Sequence, residues 1–303
     1  MLRSRNFWLA MVSLVALTLL PLGVSGYILG LLTVAYYYAV AAMAWDLLFG
    51  FAGEVNFGPS FLVGLGAYTA ALLNVYAAMP ILPGLLAAAA AAVTGGLVLA
   101  VPALRLRGPY FGLVTLVAVL LLQNILVLFS GVTGGEIGLP LPDVLAIDDH
   151  ANYWYALGFM TISGGLLFGL SRSSAGLILQ ASGQDAVQAA ALGFNVAKHK
   201  LAAFCISALF SGLAGAMLVF YLGTVSVGTV VDISIGVQFI IAAVLGGRRT
   251  IIGAAIGSIF LIVAGEVLRP LGELSTFVVS TFALVVILFF PGGFLGLLAG
   301  RRG

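Results

Sequence analysis

The sequence predicts an all-α, polytopic membrane protein with about ten transmembrane helices, some of them short or broken near the centre. Of its 303 residues, 62% are hydrophobic and only 7% are charged, and the mean hydropathy is +1.22. Soluble domains contain about 45–50% apolar residues. The apolar residues gather into segments of about 20 residues, the length that crosses a bilayer as a helix. We therefore expect a single transmembrane domain, 1–303.

The apolar segments follow one another along the chain and are separated by short stretches that hold most of the charges. The segment at 234–247 is short for a full span, so we expect a broken or tilted helix there. The start has a basic head, an apolar stretch and small residues at 24–26, and so resembles a signal peptide as well as a first helix. We adopt the helix, because a polytopic protein needs no cleaved signal. The ten segments are 7–24, 27–49, 59–79, 81–103, 109–130, 152–170, 201–222, 234–247, 250–268 and 274–290.

The basic residues follow this alternation of segments. If the amino terminus is cytoplasmic, 11 of the 12 Arg and Lys residues fall at inside ends, and only Arg269 falls outside. Such a bias orients membrane proteins with their basic loops in the cytoplasm. Both termini are therefore predicted to be cytoplasmic. The outside loops carry the acids Glu136, Asp143, Asp148, Asp149, Asp232 and Glu273.

The longest predicted cytoplasmic loop, 171–200, contains a polar stretch suited to a helix. Residues 185–192 have good helix formers and no proline. Asp185 stands in the first turn, where the helix dipole favours an acid, and Gly193 fits the position that ends a helix. Small residues permit close approach, so this helix either docks into a groove on a soluble partner or lies on the membrane as an ordinary surface helix. The small face comprises Ala186, Ala189, Ala190 and Gly193.

A second unusual stretch, "GFAGEVNFGPS", separates two apolar segments. Its glycines and Pro59 cannot hold a regular helix, so we expect a break followed by a half-helix that begins at Pro59. Glu54 has no obvious basic partner in the sequence and either lines a polar path through the bundle or belongs to a solvated turn. Gln123 and Asn124 either line that path or bond between helices. The candidate path residues are Asp46, Glu54, Asn56, Gln123 and Asn124.

The sequence does not contain the residues that several functional classes require. No Gly-x-x-x-x-Gly-Lys-Ser/Thr motif occurs, so the chain does not cradle nucleotide phosphates in that way. The two histidines, 150 and 199, lie far apart, and no metal cluster or Ser/His/Asp set can be assembled. Cys205 is the only cysteine and is interpreted as a small core residue. Without a basic stripe, nucleic acid is not an expected partner. The glycines at 64, 66, 253 and 257 are interpreted as packing contacts.

Six stretches resemble, in the right order, the permeases of ATP-binding-cassette importers, specifically the branched-chain amino acid permease family and its LivM-type members. Together they extend over nearly the whole chain. They are "DLLFGFAGEVNFGPSFLVGLGAYTAALL" (46–73), "LRLRGPYFGLVTL" (104–116), "GVTGGEIGL" (131–139), "GLILQASGQDAVQAAALGFNVAKHKLAAF" (176–204), "AVLGGRRTIIGAAIGSIF" (243–260) and "FPGGFLGLL" (290–298).

The resemblance implies a transmembrane subunit that is not itself an enzyme, with a coupling helix in the loop 171–200. It implies a second permease subunit, identical or different, two cytoplasmic ATPase subunits that use ATP, and an extracytoplasmic solute-binding protein. The chain itself is expected to bind lipid but no cofactor, and to lie in the plasma (inner) membrane of a bacterium or archaeon. Branched-chain or other amino acids are the expected solutes; urea, short amides, carboxylates and ribose-like sugars remain alternatives. The alternative functions from other classes are a secondary transporter or channel and a membrane enzyme.

Overall fold

The computed structural model describes residues 17–24, 26–103 and 110–272, and the single residues 274, 278, 281 and 293. Seven helices in this part of the chain are long and apolar enough to cross a membrane. The prediction of an all-α, polytopic membrane protein is therefore confirmed. The predicted segments 7–24 and 274–290 lie largely outside the described residues, so the count of ten stays a prediction.

The predicted segments within the described residues are occupied by helices whose ends differ from the prediction by a few residues. The two short strands pair antiparallel, with Leu139 opposite Val225, and short 3-10 turns lie at Leu20–Leu22 and Arg269–Leu271. The strands are β1 (Leu139–Pro140) and β2 (Thr224–Val225). The α-helices are α1 (Gly26–Asp46), α2 (Pro59–Ala77), α3 (Ile81–Ala103), α4 (Tyr110–Leu128), α5 (Ser130–Thr133), α6 (Asp149–Arg172), α7 (Ser174–Gln184), α8 (Ala186–Ala191), α9 (Val196–Leu222), α10 (Val227–Val230), α11 (Ile233–Gly246) and α12 (Ile252–Val267).

Two helix boundaries are informative. α9 begins at Val196 rather than 201, because the Asn195 side chain accepts a hydrogen bond from the Lys198 backbone N–H and starts the helix before the apolar run. The eighth segment itself is one continuous helix of 14 residues, α11, so it is not broken; the interruption lies before it, where Val231 and Asp232 separate α10 from α11. α12 has only 16 residues and is shorter than a full span.

Helices α1 and α9 form the centre of the bundle. In the most apolar stretch of each, 72% of the residues are buried, against 33% for α3, α4 and α6. α9 packs on α1, α2 and α3, and α1 also packs on α6, α11 and α12. Two tyrosines of α1 face different neighbouring helices. The Tyr36 hydroxyl hydrogen-bonds the Tyr153 hydroxyl of α6 at 2.8 Å, and the Tyr38 ring meets the Phe239 ring of α11 edge-on. α1 therefore contacts most of the other long helices of the described bundle.

The central helices approach closely through glycine. A Cβ atom on Gly66 of α2 would lie 2.1 Å from the carbonyl oxygen of Gly212 in α9. One on Gly257 of α12 would lie 2.0 Å from the carbonyl oxygen of Ala242 in α11. Small residues commonly permit such approach between membrane helices. The interpretation of Gly66 and Gly257 as packing contacts is confirmed.

We predict that Gly66→Ala destabilises the fold, because the added methyl group has no room against the backbone of α9. Overpacking of this kind costs about 1–3 kcal/mol in the free energy of unfolding. The midpoint of thermal unfolding of the purified chain in detergent measures the effect. Gly165→Ala is the matched control, since nothing lies within 4 Å of a Cβ atom at Gly165 in α6. Equal midpoints for the two variants would contradict the packing argument.

The bundle has two chemically different ends, which we call the basic end and the acidic end. The basic end is where α1 finishes, and it gathers five of the six basic residues in the described part of the chain: Arg172, Lys198, Lys200, Arg248 and Arg249. The acidic end is where α1 begins; it carries Arg269 together with Glu136, Asp143, Asp148, Asp149 and Asp232. The described loops predicted to be inside fall at the basic end, and those predicted to be outside fall at the acidic end.

The long loop at the acidic end is tied to the bundle by strand pairing and by side-chain hydrogen bonds. β1 pairs with β2, which follows α9. The Asn74 side-chain amide of α2 donates to Asp143 Oδ2 at 2.8 Å and to the Met79 carbonyl at 2.9 Å. The loop 131–151 therefore lies over the ends of α2 and α9.

Candidate functional site

The break predicted after α1 is present and has a specific form. α1 continues into a π-helical turn, Leu47–Phe51, and residues 52–58 form no regular helix. Such turns are rare and often mark functional sites. α2 then starts with Pro59 at its first position, as predicted, but runs for 19 residues. The expectation of a half-helix is therefore wrong: no proline interrupts the later turns, and Gly64 and Gly66 are held by packing.

Asp46, the last residue of α1, is fully buried and binds the loop between α11 and α12. Its Oδ1 accepts from the backbone N–H of Arg249 at 3.0 Å, and its Oδ2 accepts from those of Thr250 at 3.1 Å and Ile251 at 3.0 Å. Burial of a carboxylate is costly unless its oxygens are satisfied, and these donors satisfy them. The contacts are structural, and the assignment of Asp46 to a transport path stays a prediction.

The bound loop, 247–251, has a strained backbone. Arg249 and Ile251 have φ of +64° and +51°. Positive φ is uncommon for any residue other than glycine, and rarest for a β-branched residue such as Ile251. Arg249 Nε donates to the Gly50 carbonyl at 2.7 Å, and the Arg248 guanidinium lies 4.4 Å from the centre of the Phe49 ring. Strain of this kind persists only where the surroundings hold it, and here Asp46 and the π-turn do so.

Glu54 forms an ion pair with Lys200, in the second turn of α9. Lys200 Nζ lies 2.5 Å from Glu54 Oε1, and the two side chains are 16% and 18% exposed, respectively. The expectation that Glu54 lacks a basic partner is therefore wrong, because the partner is 146 residues away in sequence. A role for Glu54 in solute transport stays a prediction, and a solute ammonium group would have to compete with Lys200.

Asn56 closes the turn between α1 and α2. Its buried side-chain oxygen accepts from the backbone N–H of Gly58 at 2.8 Å, and its carbonyl accepts from Trp45 Nε1 at 2.6 Å. The Trp45 ring stacks on Phe49 of the π-turn with centroids 4.7 Å apart. Asn56 thus links the end of α1 to the start of α2, and a contact with solute stays a prediction.

The two polar residues of α4 point to different surroundings. Gln123 Nε2 lies 3.5 Å from Asp232 Oδ2, a long hydrogen bond to the break between α10 and α11. Asn124 is exposed and donates to the Leu120 carbonyl of its own helix at 2.7 Å. The sequence left two alternatives for these residues: they line the path or they bond between helices. Gln123 bonds to another element, and Asn124 does not. Their place on the path stays a prediction.

The loop 171–200 contains two helices, α7 and α8, where the sequence predicted one. The predicted helix is α8, and Asp185 is its N-cap: Oδ1 accepts from the backbone N–H of Val187 at 2.9 Å and of Gln188 at 3.0 Å. The cap stabilises a helix of only six residues. Gly193 has a φ of +90° just beyond the end, as expected for a residue that terminates a helix.

The predicted docking face of α8 is only partly accessible. Ala189 is buried against the rest of the chain. Val187 and Leu192 are 80% and 74% exposed. The pattern of small residues did not predict them; the signal that indicates them is an apolar side chain within a polar stretch. Whether this surface binds an ATPase stays a prediction. The exposed members of the small face are Ala186, Ala190 and Gly193.

Helix α7 brings the loop against the π-turn, a contact that the sequence did not reveal. A Cβ atom on Gly183 would lie 2.5 Å from the Phe51 carbonyl oxygen, and one on Gly53 would lie 2.8 Å from the Gly183 carbonyl oxygen. The two backbones therefore touch without intervening side chains. Among the described residues, no group of three or more His, Cys, Asp or Glu side chains is arranged to hold a metal ion.

Comparison with known proteins adds to this geometry. The family described as "Branched-chain amino acid transport system / permease component" matches residues 27–291. The LivM protein of Escherichia coli K12, a high-affinity branched-chain amino acid transport system permease protein, is 29% identical over 91% of this chain and 71% of its own length. The corresponding BraD protein of Pseudomonas aeruginosa is 26% identical over 88% of this chain and 93% of its own. No solved structure matches the chain.

Proposed function

The chain belongs to the family of permease components of branched-chain amino acid transport systems, and from that membership we propose that it is the transmembrane subunit of an ATP-binding-cassette importer. The observation that carries the proposal is the family match over residues 27–291. The short capped helix α8, exposed at the basic end, supports it, because it offers a docking element to a soluble subunit. A secondary transporter would not need such an element.

The proposed complex contains this chain, a second permease subunit of identical or different sequence, two ATPase subunits and an extracytoplasmic solute-binding protein. ATP is hydrolysed on the ATPase subunits, since this sequence lacks a phosphate-binding motif. The membrane is the plasma membrane of a bacterium or archaeon. Branched-chain or other amino acids are the proposed solutes, in keeping with the names of the relatives, and urea, short amides or carboxylates are the alternatives.

Purified complexes in nanodiscs test the function. This chain would be co-expressed with candidate permease and ATPase subunits, and ATP hydrolysis measured with candidate binding proteins and solutes. We expect hydrolysis to rise only when a binding protein carries its solute. Uptake into liposomes that is driven by an ion gradient and needs no ATP would instead establish a secondary transporter.

The orientation gives a separate prediction: the basic end faces the cytoplasm. In a Cys205→Ser background, a cysteine at the exposed residue Gln188 should resist an impermeant thiol reagent in intact cells and react after permeabilisation. A cysteine at the exposed residue Asp148 should react in both. The physical reason is the retention of basic loops on the cytoplasmic side. The reverse labelling pattern would overturn the orientation.

A further inference from the structure

We propose that the end of α1, its π-turn and the residues 52–54 that follow it, receives the movement of the coupling loop through two contacts, the Gly53–Gly183 backbone contact and the Glu54–Lys200 ion pair. We call these two contacts the junction. The proposal rests on the importer function proposed above and names the residues through which docking at α8 acts on the membrane helices. In it, Glu54 and Lys200 are positioning residues and touch neither solute nor nucleotide.

The first contact is rigid. Gly183 lies in α7, two residues before Asp185, the N-cap of α8. Its backbone meets that of Phe51 and Gly53 directly, since a Cβ atom at Gly183 would lie within 3.0 Å of the Phe51 carbonyl oxygen and of the Ala52 carbonyl carbon. Packed backbones have no side chains that can change rotamer to absorb a displacement. A shift of α7 is therefore passed to the π-turn.

The second contact lies on the other side of α8. Residues 192–195 join α8 to α9, and Lys200 of α9 holds Glu54 of the loop that follows the π-turn. The two side chains are only 16% and 18% exposed, so the pair is shielded from much of the solvent. Salt therefore screens the attraction between the two charges less than it would at an open surface. In sequence, α8 is thus flanked by Gly183 and Lys200, one residue from each contact of the junction.

The receiving element departs from regular helix. α1 ends in the π-turn, a rare geometry that is frequent at functional sites, and residues 52–58 after it form no regular helix. Asp46, directly before the turn, is fixed to the loop 247–251 by three hydrogen bonds. Movement at 47–53 is therefore transmitted to the end of α1, one of the two central helices, and through Asp46 to the loop 247–251.

A charge-reversal cycle in the assembled transporter tests the ion pair. Glu54→Lys and Lys200→Glu should each lower the solute taken up per ATP hydrolysed by about fivefold or more, in the usual range of coupling between sites. The double variant should recover most of the loss, because the pair is restored with opposite polarity. Lys198→Glu combined with Glu54→Lys is the matched control, and no recovery is expected from it.

The outcomes are separable. If the wild-type complex shows no solute-stimulated hydrolysis, the importer function itself fails. If the wild-type complex works and the Glu54/Lys200 double variant shows no recovery, the junction is overturned. It is also overturned if Glu54→Gln selectively lowers uptake of zwitterionic solutes relative to neutral amides with the uptake-to-hydrolysis ratio unchanged, since this assigns Glu54 to the solute path.

Gly183→Ala tests the backbone contact independently. We expect it to lower the uptake-to-hydrolysis ratio, while Gly169→Ala, where a Cβ atom meets nothing within 4 Å, leaves the ratio unchanged. Thermal unfolding midpoints of both variants separate a loss of coupling from a loss of fold. A folded Gly183→Ala complex with the wild-type ratio would contradict the contact as a route of transmission. If the Gly183→Ala complex unfolds earlier, the ratio is measured below its unfolding midpoint, and a wild-type ratio there also contradicts the contact.

Discussion

Ala190→Arg is expected to abolish solute uptake, either because the ATPase subunits no longer assemble with the chain or because they hydrolyse ATP without transport. Ala190 is exposed on α8 beside the buried Ala189. A small side chain there allows a partner to approach closely. Arginine would either hold the partner away or place an unpaired charge in the interface, and desolvation of such a charge costs several kcal/mol.

Ala190→Ser is the matched control for this substitution, because it adds a polar atom with little volume and no charge; near-normal uptake is expected from it. Co-purification of the ATPase subunits, ATP hydrolysis and uptake should be measured together at matched expression. Normal uptake by a fully expressed Ala190→Arg chain would show that α8 is not the docking helix.

Asp46→Ala is expected to cause the largest loss of stability among the substitutions considered for this chain. It removes both oxygens that accept from the backbone N–H groups of Arg249, Thr250 and Ile251. Each buried donor left without a partner costs about 1–3 kcal/mol. The strained loop also loses the group that holds it. We expect the unfolding midpoint in detergent to fall by about 5–10 °C or more, with a reduced yield of folded protein.

Asp46→Asn separates stability from function. The amide keeps one oxygen acceptor in place of two, so a smaller fall in the midpoint is expected than for Asp46→Ala. Unchanged midpoints in both variants would contradict the anchoring role. A folded Asp46→Asn chain that hydrolyses ATP with its partners but moves no solute would favour the path role predicted from the sequence.

The sequence predicted the features of this chain that depend on local composition. Apolar segments of about 20 residues became helices, and the Gly/Pro-rich stretch before Pro59 became a break. Asp185 and Gly193 lie at the two ends of α8 as their residue types suggested. These features follow from hydrophobicity, capping and backbone freedom, which are properties of neighbouring residues.

Contacts between distant parts of the chain could not be predicted in this way. The partner of Glu54 lies 146 residues away, and the donors to Asp46 lie 203 to 205 residues away. Nothing in the local sequence distinguishes an acid that binds backbone N–H groups from one that lines a path. Likewise, the inward position of Ala189 depends on how α8 lies against its neighbours, which the spacing of small residues alone does not determine.

The position of Trp45 provides the π-turn with an intrinsic fluorescent reporter. Its indole N–H donates to the Asn56 carbonyl, and its ring stacks on Phe49. Both the polarity of the surroundings of the indole and its stacking therefore depend on the shape of the turn. The chain has only three tryptophans, Trp8, Trp45 and Trp154. With the other two replaced by phenylalanine, emission from this single indole would follow the turn in real time while the transporter works, without an attached dye.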